Sequence, residues 1–285
     1  MKSVSGGPLL FRLAKSMGRS HVRGGSFLMS RLDDLGALNV VAEYQLGRLK
    51  FGVPLYRLPW DFWDVENYEA KLIAAFCRAV SPLENVVLFD CGADIGTFSA
   101  LVCSRAEQIV RVIAFEPNRD VNEFLKSNLS NLPIASETVS KAVGSFNGYG
   151  RLERPEYDRS DHARFLVPGD GQIEVTTIDS MHVRKSDVAI KLDLEGGELE
   201  ALKGAAETIV SARQCVVSLE AHPAVANRTG QDPVECLQFL ESLRPFHFLV
   251  AETSQRPSTS ARLLKHGQTD IWNVVGWTHS YPSIC

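Results

Sequence analysis

Cysteine is scarce in this sequence, and its spacing excludes a disulfide-based architecture. The chain of 285 residues has six cysteines, and none of them forms a C-x-x-C pair. Five of the six lie inside apolar stretches that are typical of strands or helices. We therefore expect reduced, buried thiols and a protein that works in a reducing compartment, which is the cytoplasm.

Long apolar runs and an excess of basic residues are also missing. No stretch approaches the roughly 20 apolar residues that a membrane helix needs. The formal net charge of −4 argues against a surface that wraps nucleic acid, so no nucleic-acid partner is expected. Residues 1–25 contain basic residues and no acid, but they lack a long apolar region and a small-residue cleavage site, which makes them a poor secretory signal.

The N-terminal part offers three weaker patterns. Residues 9–17 place leucines and a methionine at helical spacing beside basic residues, and such a helix could make weak peripheral contact with an anionic membrane. Because the apolar face is short, a frayed leader or a helix packed on the domain is the preferred interpretation. Residues 31–50 predict a second helix. The aromatic-rich segment 56–63 is predicted either to cover an active site or simply to pack on the core.

The most informative stretch is residues 86–118, which read VVLFDCGADIGTFSALVCSRAEQIVRVIAFEPN. An apolar run ends in Asp90, glycines follow at positions 92 and 96, a helical pattern comes next, and a second apolar run ends in Glu116. This order predicts a strand, a glycine turn, a helix and a second strand. Such a unit places a nucleotide-type binding site at the carboxyl edge of a parallel sheet.

The small and polar residues of this unit each have a predicted role. Gly92 permits a sharp turn out of the strand, and Gly96 permits a ligand or a neighbouring strand to approach the helix start closely. Glu116 suits a carboxylate that accepts hydrogen bonds from two ribose hydroxyls. The candidate cofactor-binding residues are Asp90, Gly92, Ala93, Asp94, Gly96, Glu116, Asn118, Lys141, Ala142 and Asp193.

Glycine is missing at position 90, where the dinucleotide fingerprint would need one. Asp90 and Asp94 instead put negative charge where a pyrophosphate would lie, so a nicotinamide dinucleotide is disfavoured. A cationic ligand fits better, and S-adenosylmethionine, with its sulfonium and amino groups, meets that requirement. A purely structural turn between strand and helix is the alternative.

Strand and helix patterns alternate over residues 86–251, which predicts one doubly wound α/β sheet. The third strand, over residues 137–143, is expected to end beside the adenine side of the pocket at Ser140, Lys141 and Ala142. The other predicted helices cover 66–80, 121–132, 199–212 and 234–243, and the other predicted strands cover 173–177, 188–192, 215–219, 246–251 and 271–277.

Residues 145–186 interrupt this alternation. The piece 148–171 is polar, mixes arginines with acids and has no helical period. We interpret it as a hairpin or an ordered loop inserted at the carboxyl edge of the sheet. Loops at that edge border the ligand crevice and commonly determine substrate choice, although a surface loop without a role is the alternative.

A second group of ionisable residues follows two strands that the topology makes neighbours. Asp193 and Glu195 follow one strand, and Glu220 and His222 follow the other, so all four are expected near the glycine turn. If a hydroxyl group is methylated there, it needs a base, and His222 and Asp193 are the candidates. Alternatively, Asp193, Glu220 and His222 hold a divalent metal. Glu198 is better interpreted as a residue that stabilises a helix start.

Together these motifs resemble the FkbM family of S-adenosylmethionine-dependent methyltransferases in order and spacing. They are DCGADIGTFS, AFEPN, AVGS with the following TTIDS strand, IKLDLEGGELEALKGA and SLEAH, and they cover roughly residues 68–251. The resemblance implies a class I methyltransferase fold: Rossmann-like and doubly wound, with a mostly parallel seven-stranded sheet and helices on both faces. It divides the chain into an N-terminal helical or irregular segment, 1–65, and a methyltransferase domain, 66–285, that carries the insertion at about 145–186.

The resemblance also implies O-methylation of a hydroxyl group on a secondary metabolite, polysaccharide or glycolipid. The residues it places at the reaction site are Asp193, Glu195, Glu220 and His222. Two departures from the family pattern are Asp94, where the family usually has Asn, and Gly197, where an aromatic residue is common. A cofactor-binding or scaffold protein that has lost turnover is the alternative function, and a homodimer is compatible with the sequence.

Overall fold

The computed structural model describes residues 2–4, 31, 40–46, 49–54, 65, 68–153, 165–221, 230–253, 258–264 and 271–280. The strands in this part of the chain are β1 (Lys2–Val4), β2 (Val40–Leu46), β3 (Leu49–Pro54), β4 (Val86–Cys91), β5 (Ile109–Phe115), β6 (Ala135–Val139), β7 (Ala142–Val143), β8 (Gly148–Glu153), β9 (Phe165–Pro168), β10 (Ile173–Thr176), β11 (Val188–Leu192), β12 (Cys215–Ala221), β13 (His247–Val250) and β14 (Trp272–Trp277). The α-helices are α1 (Ala70–Val80), α2 (Thr97–Cys103), α3 (Arg119–Ser130), α4 (Glu198–Lys203), α5 (Ala206–Ser211) and α6 (Pro233–Leu243), and short 3₁₀ helices cover Ile178–Met181 and Ala261–Leu263.

A seven-stranded sheet lies at the centre, in the order β13-β14-β12-β11-β4-β5-β6. The five strands from β12 to β6 are parallel, whereas β14 runs antiparallel to β12 and β13. The chain starts the sheet at β4, adds strands on one side and then continues with β11 on the other side. The point between β4 and β11 is therefore the topological switch point, and the predicted doubly wound, mostly parallel sheet is confirmed.

Side chains of the central strands alternate between two hydrophobic cores, one on each face of the sheet. On β4, Leu88 belongs to one core and Phe89 to the other, because successive side chains of a strand point to opposite faces. The first core also takes residues from α1, α2 and α3, and the second takes residues from α4, α5 and α6. Helices thus cover both faces, and this double burial explains the continuous apolar runs of the strands.

Helix α1 begins at Ala70, four residues later than the pattern predicted. Its predicted inward positions are all buried: Leu72, Ile73, Phe76 and Val80. The helix cannot extend further back in a regular form, because Glu69 has a φ of 42°, in the left-handed region.

The helix predicted over residues 31–50 is wrong over residues 40–46 and 49–50, which form strands, whereas Arg31 is helical. Strands β2 and β3 form an antiparallel hairpin, and β1 pairs with β2 in the same three-stranded sheet. From Ala42 to Leu46 buried and exposed residues alternate strictly, which is the period of a half-buried strand rather than a helix. The hairpin packs on α3, where the Asn128 amide both accepts from the Gly52 N–H (2.7 Å) and donates to the Gly52 carbonyl (2.9 Å).

Two predicted elements are each divided in the structure. The third strand of the large sheet, β6, ends at Val139, and Ala142–Val143 belongs to a different sheet as β7. The helix predicted over 199–212 is split into α4 and α5. A Cβ on Gly204, at the break, would lie 2.0 Å from the Gly144 carbonyl oxygen. The break therefore lets the chain pass close to the end of β7.

The inserted residues form three strands of a small four-stranded sheet in the order β7-β10-β8-β9, and the fourth strand, β7, directly precedes the insertion. Strands β8 and β9 are antiparallel, which agrees with the predicted hairpin, and β10 pairs in parallel with β7. The N-terminal helical pattern at 9–17 and the aromatic segment 56–63 lie outside the described residues. Among the helices that the structure describes, none is long and apolar enough to cross a membrane.

Candidate active site

A cavity of about 690 Å³ opens at the carboxyl edge of the large sheet. Its wall contains residues that directly follow β4, β5 and β11, together with residues from the end of β12 and from the inserted sheet. It therefore lies at the switch point between β4 and β11, where open α/β sheets bind ligands.

Most of the residues predicted for the site line this cavity. They are Gly92, Ala93, Asp94, Glu116, Asn118, Lys141, Ala142, Asp193, Glu195 and Glu220. Asp90 and Gly96 are not part of the wall, and His222 lies outside the described residues. The structure brings the two predicted groups of acids together in one cavity, while the individual roles of these residues stay predictions.

The two glycines of the turn serve close packing within the protein. Gly92 has a φ of 77°, and a Cβ there would lie 2.0 Å from the Asp193 carbonyl oxygen. Gly96 has a φ of 87° and precedes α2, and its missing Cβ faces Leu125 of α3 at 3.1 Å. Gly92 therefore admits the end of the neighbouring strand, and Gly96 admits a helix where we expected a strand or a ligand, while its role in ligand binding stays a prediction.

Glu116 is held by the backbone on both sides of its carboxylate. One oxygen accepts the Asp94 N–H at 2.9 Å, and the other accepts the Asn118 N–H at 2.8 Å. Burial, and after it the negative charge of Asp94, raise the pKa of Glu116 to about 7. Each carboxylate oxygen can accept a second hydrogen bond, so the arrangement retains the capacity to bind two ribose hydroxyls.

Lys191 is the central residue of the site, and the sequence motifs did not predict it. The side chain lies at the cavity floor and is almost completely buried, with 4% exposure. Its Nζ donates to the Gly92 carbonyl oxygen at 2.9 Å and to Asp193 Oδ2 at 3.1 Å, and it lies 3.7 Å from Asp90 Oδ1. A lysine within the otherwise apolar strand 188–192 was the available signal, because a lysine is seldom buried without a charged partner.

The charge of Lys191 is maintained by its neighbours. Burial alone would lower the pKa of this ammonium group, but Asp193 and Asp90 raise it well above its ordinary value. Asp90 is itself fully buried and accepts a hydrogen bond from Ser99 Oγ at 2.6 Å. Asp90 thus lies below the cavity wall, where it neutralises Lys191 rather than facing the cavity.

Acidic residues crowd one end of the cavity. Burial, and then Asp193 and Glu195, raise the pKa of Glu220 to about 8. A further acid, Glu69, was not predicted: it lines the same cavity, and burial followed by Asp193 raises its pKa to about 7. This end of the cavity therefore carries carboxyl groups that titrate near neutral pH, a property that clusters at functional sites.

Glu198 has the structural role that we expected. Its Oε1 accepts the Leu194 N–H at 2.9 Å and the Gly196 N–H at 3.4 Å, so the side chain closes the loop that leads into α4. Glu195 within this loop has a φ of 54°. The loop that follows β11 is thus held in a strained conformation by a buried carboxylate.

The inserted sheet supplies an apolar part of the wall. Phe146, Leu152, Leu166 and Pro168 line the cavity near Lys141 and Ala142. Lys141 forms an ion pair with Glu174 of β10 at 2.8 Å. The insertion therefore borders the crevice as predicted, and its influence on substrate choice stays a prediction.

The predicted metal site is not tested by the structure. Among the residues described here, no group of three or more His, Cys, Asp or Glu side chains is arranged to hold a metal ion. The predicted set of Asp193, Glu220 and His222 includes a residue outside that part of the chain, so it stays a prediction.

Comparison with known proteins gives a family and one curated relative. The family described as "Methyltransferase FkbM domain" matches residues 90–244, which is more than half of the chain. A relative from Haloferax volcanii named hexuronic acid methyltransferase AglP is 28% identical over 211 residues, covering 72% of this chain and 81% of that protein.

Solved structures with this general architecture are more distant. The methyltransferase FkbM from Methylobacillus flagellatus KT is 16% identical, with a TM-score of 0.41 and coverage of 90% of this chain and 71% of its own. The TYW2 protein of M. jannaschii, solved in complex with AdoMet, is 14% identical, with a TM-score of 0.44 and coverage of 83% and 84% respectively.

Proposed function

This chain belongs to the FkbM methyltransferase family, and on that premise we propose that it transfers a methyl group from S-adenosylmethionine to a hydroxyl group of a sugar or other small molecule. The acceptor classes we propose are a polysaccharide, a glycolipid or a secondary metabolite. The name of the relative from Haloferax volcanii supports a sugar acceptor, because that protein is named for a hexuronic acid.

The single observation that carries this proposal is the acidic cavity at the switch point of the sheet. Its described wall contains Asp94, Glu116, Asp193 and other acids, whereas its two lysines, Lys141 and Lys191, are both paired with carboxylates. A cavity of this charge suits a cationic ligand and disfavours a pyrophosphate. S-adenosylmethionine is such a ligand, and when bound it supplies a methyl group on a positively charged sulfur that is a good leaving group.

The residues around Glu116 suit the adenosine part of that cofactor. Glu116 would accept hydrogen bonds from the ribose hydroxyls, because its two backbone partners fix the carboxylate in place. Lys141 and Ala142 would lie on the adenine side, next to the apolar wall of the inserted sheet. This wall would exclude water from the base.

The part of the acidic end around Glu220 suits the acceptor. An acceptor hydroxyl must lose its proton, and a carboxylate or imidazole in the wall can receive it. Asp193 is already bonded to Lys191, which suits it to hold the acceptor or cofactor in position. Glu220 and His222 are the stronger candidates for the base, with Glu195 as a further polar contact.

Calorimetry with S-adenosylmethionine and S-adenosylhomocysteine tests the cofactor assignment directly. We expect saturable binding with one site per chain, and a folded protein that binds neither compound would refute the proposed function. Transfer of a labelled methyl group to a panel of neutral sugars, uronic acids and phenols then tests the acceptor class. Cofactor binding without transfer to any of them would favour the inactive alternative, and loss of transfer with a chelator would indicate the metal.

A further inference from the structure

Glu69 lies upstream of the residues that match the family, yet it forms part of the cavity wall. It immediately precedes α1, and together with Tyr68 it closes the acidic end of the cavity. The family match begins only at residue 90. Glu69 therefore adds a residue from outside the range 90–244 to the cavity that residues within this range line.

The backbone of Glu69 is held in an unfavourable conformation. Its φ of 42° is in the left-handed region, which costs energy for a residue with a Cβ. Two other acids of the cavity wall, Asp94 and Glu195, also have positive φ values, of 50° and 54°. Strained residues of this kind persist where the surrounding structure requires them, and they cluster at ligand sites.

The Glu69 carboxylate is poorly satisfied by the protein. Its Oε2 is occluded, and it has no hydrogen-bond partner among the residues that the structure describes. The charged and titratable groups that act on Glu69 or Tyr68 include Asp193, Glu252, Asp90, Asp94 and Lys191, and Glu69 in turn raises the pKa of Glu220. Lys191 is the one cation in this set, and its ammonium group is already bonded to Asp193 and to the Gly92 carbonyl oxygen. Within the described part of the chain, the cation that acts on Glu69 is thus shared with Asp193 and Asp90.

The proposed cofactor has a cationic group at the corresponding end. In S-adenosylmethionine the sulfonium joins the ribose to an amino-acid part, which ends in an α-ammonium and a carboxylate. If the ribose binds at Glu116, the amino-acid part would occupy the part of the same cavity that Gly92, Asp193 and Glu69 line. We propose that Glu69, together with Asp193, binds the α-ammonium group of S-adenosylmethionine. This inference rests on the proposed function, because it requires that the cavity binds this cofactor.

The test compares two ligands that differ only in the amino-acid part. S-adenosylhomocysteine carries the α-ammonium and no sulfonium charge, whereas 5′-methylthioadenosine lacks the amino-acid part. By calorimetry, Glu69→Gln should weaken binding of S-adenosylhomocysteine by roughly 10- to 100-fold, as expected for the loss of one hydrogen bond between charged groups. Binding of 5′-methylthioadenosine should change less than about threefold.

The pH dependence gives an independent measurement on the unchanged protein. Because burial and Asp193 raise the pKa of Glu69 to about 7, Glu69 gains its charge between about pH 6 and pH 8. The ratio of the affinities for S-adenosylhomocysteine and 5′-methylthioadenosine should therefore rise over this range. In Glu69→Gln the affinity ratio should rise less over this range. The rise that remains should come from Glu220, whose pKa is raised to about 8.

Glu200→Gln is the matched control. Glu200 lies in the same cavity wall, but its carboxylate is bonded to Lys203 and Ser145. This control should leave the affinity ratio unchanged.

If Glu69→Gln weakened the binding of both ligands equally, or left the binding of both unchanged, the inference would be overturned. If Glu69→Gln does not fold, a ratio in the wild-type protein that is flat from pH 6 to pH 8 would overturn it equally. Failure of the wild-type protein to bind either ligand would instead refute the proposed function.

Discussion

The carboxylates at the two ends of the cavity differ in their hydrogen bonds and in their charged neighbours. At the ribose end, each oxygen of Glu116 accepts a backbone N–H from the glycine turn or from the end of β5. At the acidic end, Glu69 has an occluded oxygen without a partner in the described part of the chain, and Glu220 is surrounded by other acids. The carboxylate of the first end is thus held by hydrogen bonds of the protein, whereas the acids of the second end have pKa values raised to about 7 and 8. Lys191 lies between the ends and contacts both the glycine turn and Asp193.

The largest effect on stability should come from replacing Lys191, which lies between the two ends of the cavity. Lys191→Met leaves Asp90 and Asp193 without their cation, and breaking a buried pair in this way costs about 3–5 kcal/mol of unfolding free energy. Urea denaturation followed by circular dichroism measures this. Lys203→Met is the control: it removes an exposed pair with Glu200, which is worth less than about 1 kcal/mol. If Lys191→Met lowered the free energy of unfolding no more than the control does, the central role of Lys191 would be contradicted.

The next effect concerns the close approach between the glycine turn and β11. Gly92→Ala combines a φ of 77° with a Cβ that would lie 2.0 Å from the Asp193 carbonyl oxygen. Gly230→Ala has a similar φ of 72° and no atom within 4 Å of the new Cβ. We expect about 1–2 kcal/mol of destabilisation for Gly230→Ala and clearly more for Gly92→Ala, measured by thermal unfolding. Equal losses would show that only the backbone angle matters.

A smaller effect should distinguish the ribose end from the acidic end. In Glu116→Gln the amide NH₂ cannot accept the second backbone N–H, and it binds ribose hydroxyls less well than a carboxylate. We therefore expect roughly 10-fold weaker binding of both S-adenosylhomocysteine and 5′-methylthioadenosine. Calorimetry with the two ligands measures this. If Glu116→Gln weakened only S-adenosylhomocysteine, the assignment of the ends would be reversed.

The smallest expected effect is a change in how the stability of the protein depends on pH. The pKa values of Glu69 and Glu116 are raised to about 7 and that of Glu220 to about 8, all mainly by burial. Between about pH 4.5 and these values the folded state binds more protons than the unfolded state, so these three groups make stability fall as pH rises. Glu220→Gln should flatten this fall in a series of melting temperatures from pH 5 to pH 8. The control Glu200→Gln should not flatten it, because Lys203 and Ser145 lower the pKa of Glu200.

Much of the large sheet could be predicted because its strands are buried on both faces. Continuous apolar runs such as residues 188–192 leave few alternatives, and the predicted and observed bounds of β11 are identical. Prediction from the local sequence pattern was wrong where a helical period led us to expect a helix and the segment forms strands. Residues 31–50 place leucine and valine at helical spacing, but the strict alternation of burial in β2 and its pairing with β3 show that residues 40–46 form a half-buried strand.

The candidate site was only partly predictable for a related reason. Asp193, Glu116 and the glycines follow strands directly, so the topology places them at one edge without further information. Glu69 precedes a helix, a position that does not indicate an active site, and a lysine inside an apolar strand, such as Lys191, indicates a buried charged partner without identifying it. Their contacts join residues about 100 positions apart, as between Lys191 and Gly92.

The sequence by itself determined the parallel sheet, its glycine turn and the edge at which the acids collect, because burial and backbone geometry act locally. Only the tertiary structure decided how those acids differ. Backbone N–H groups satisfy Glu116, Lys191 neutralises Asp90 and Asp193, and Glu69 is brought to the cavity by a helix from outside the family match. The physical reason is that charge interactions depend on distance and burial in space, which the order of residues along the chain does not specify.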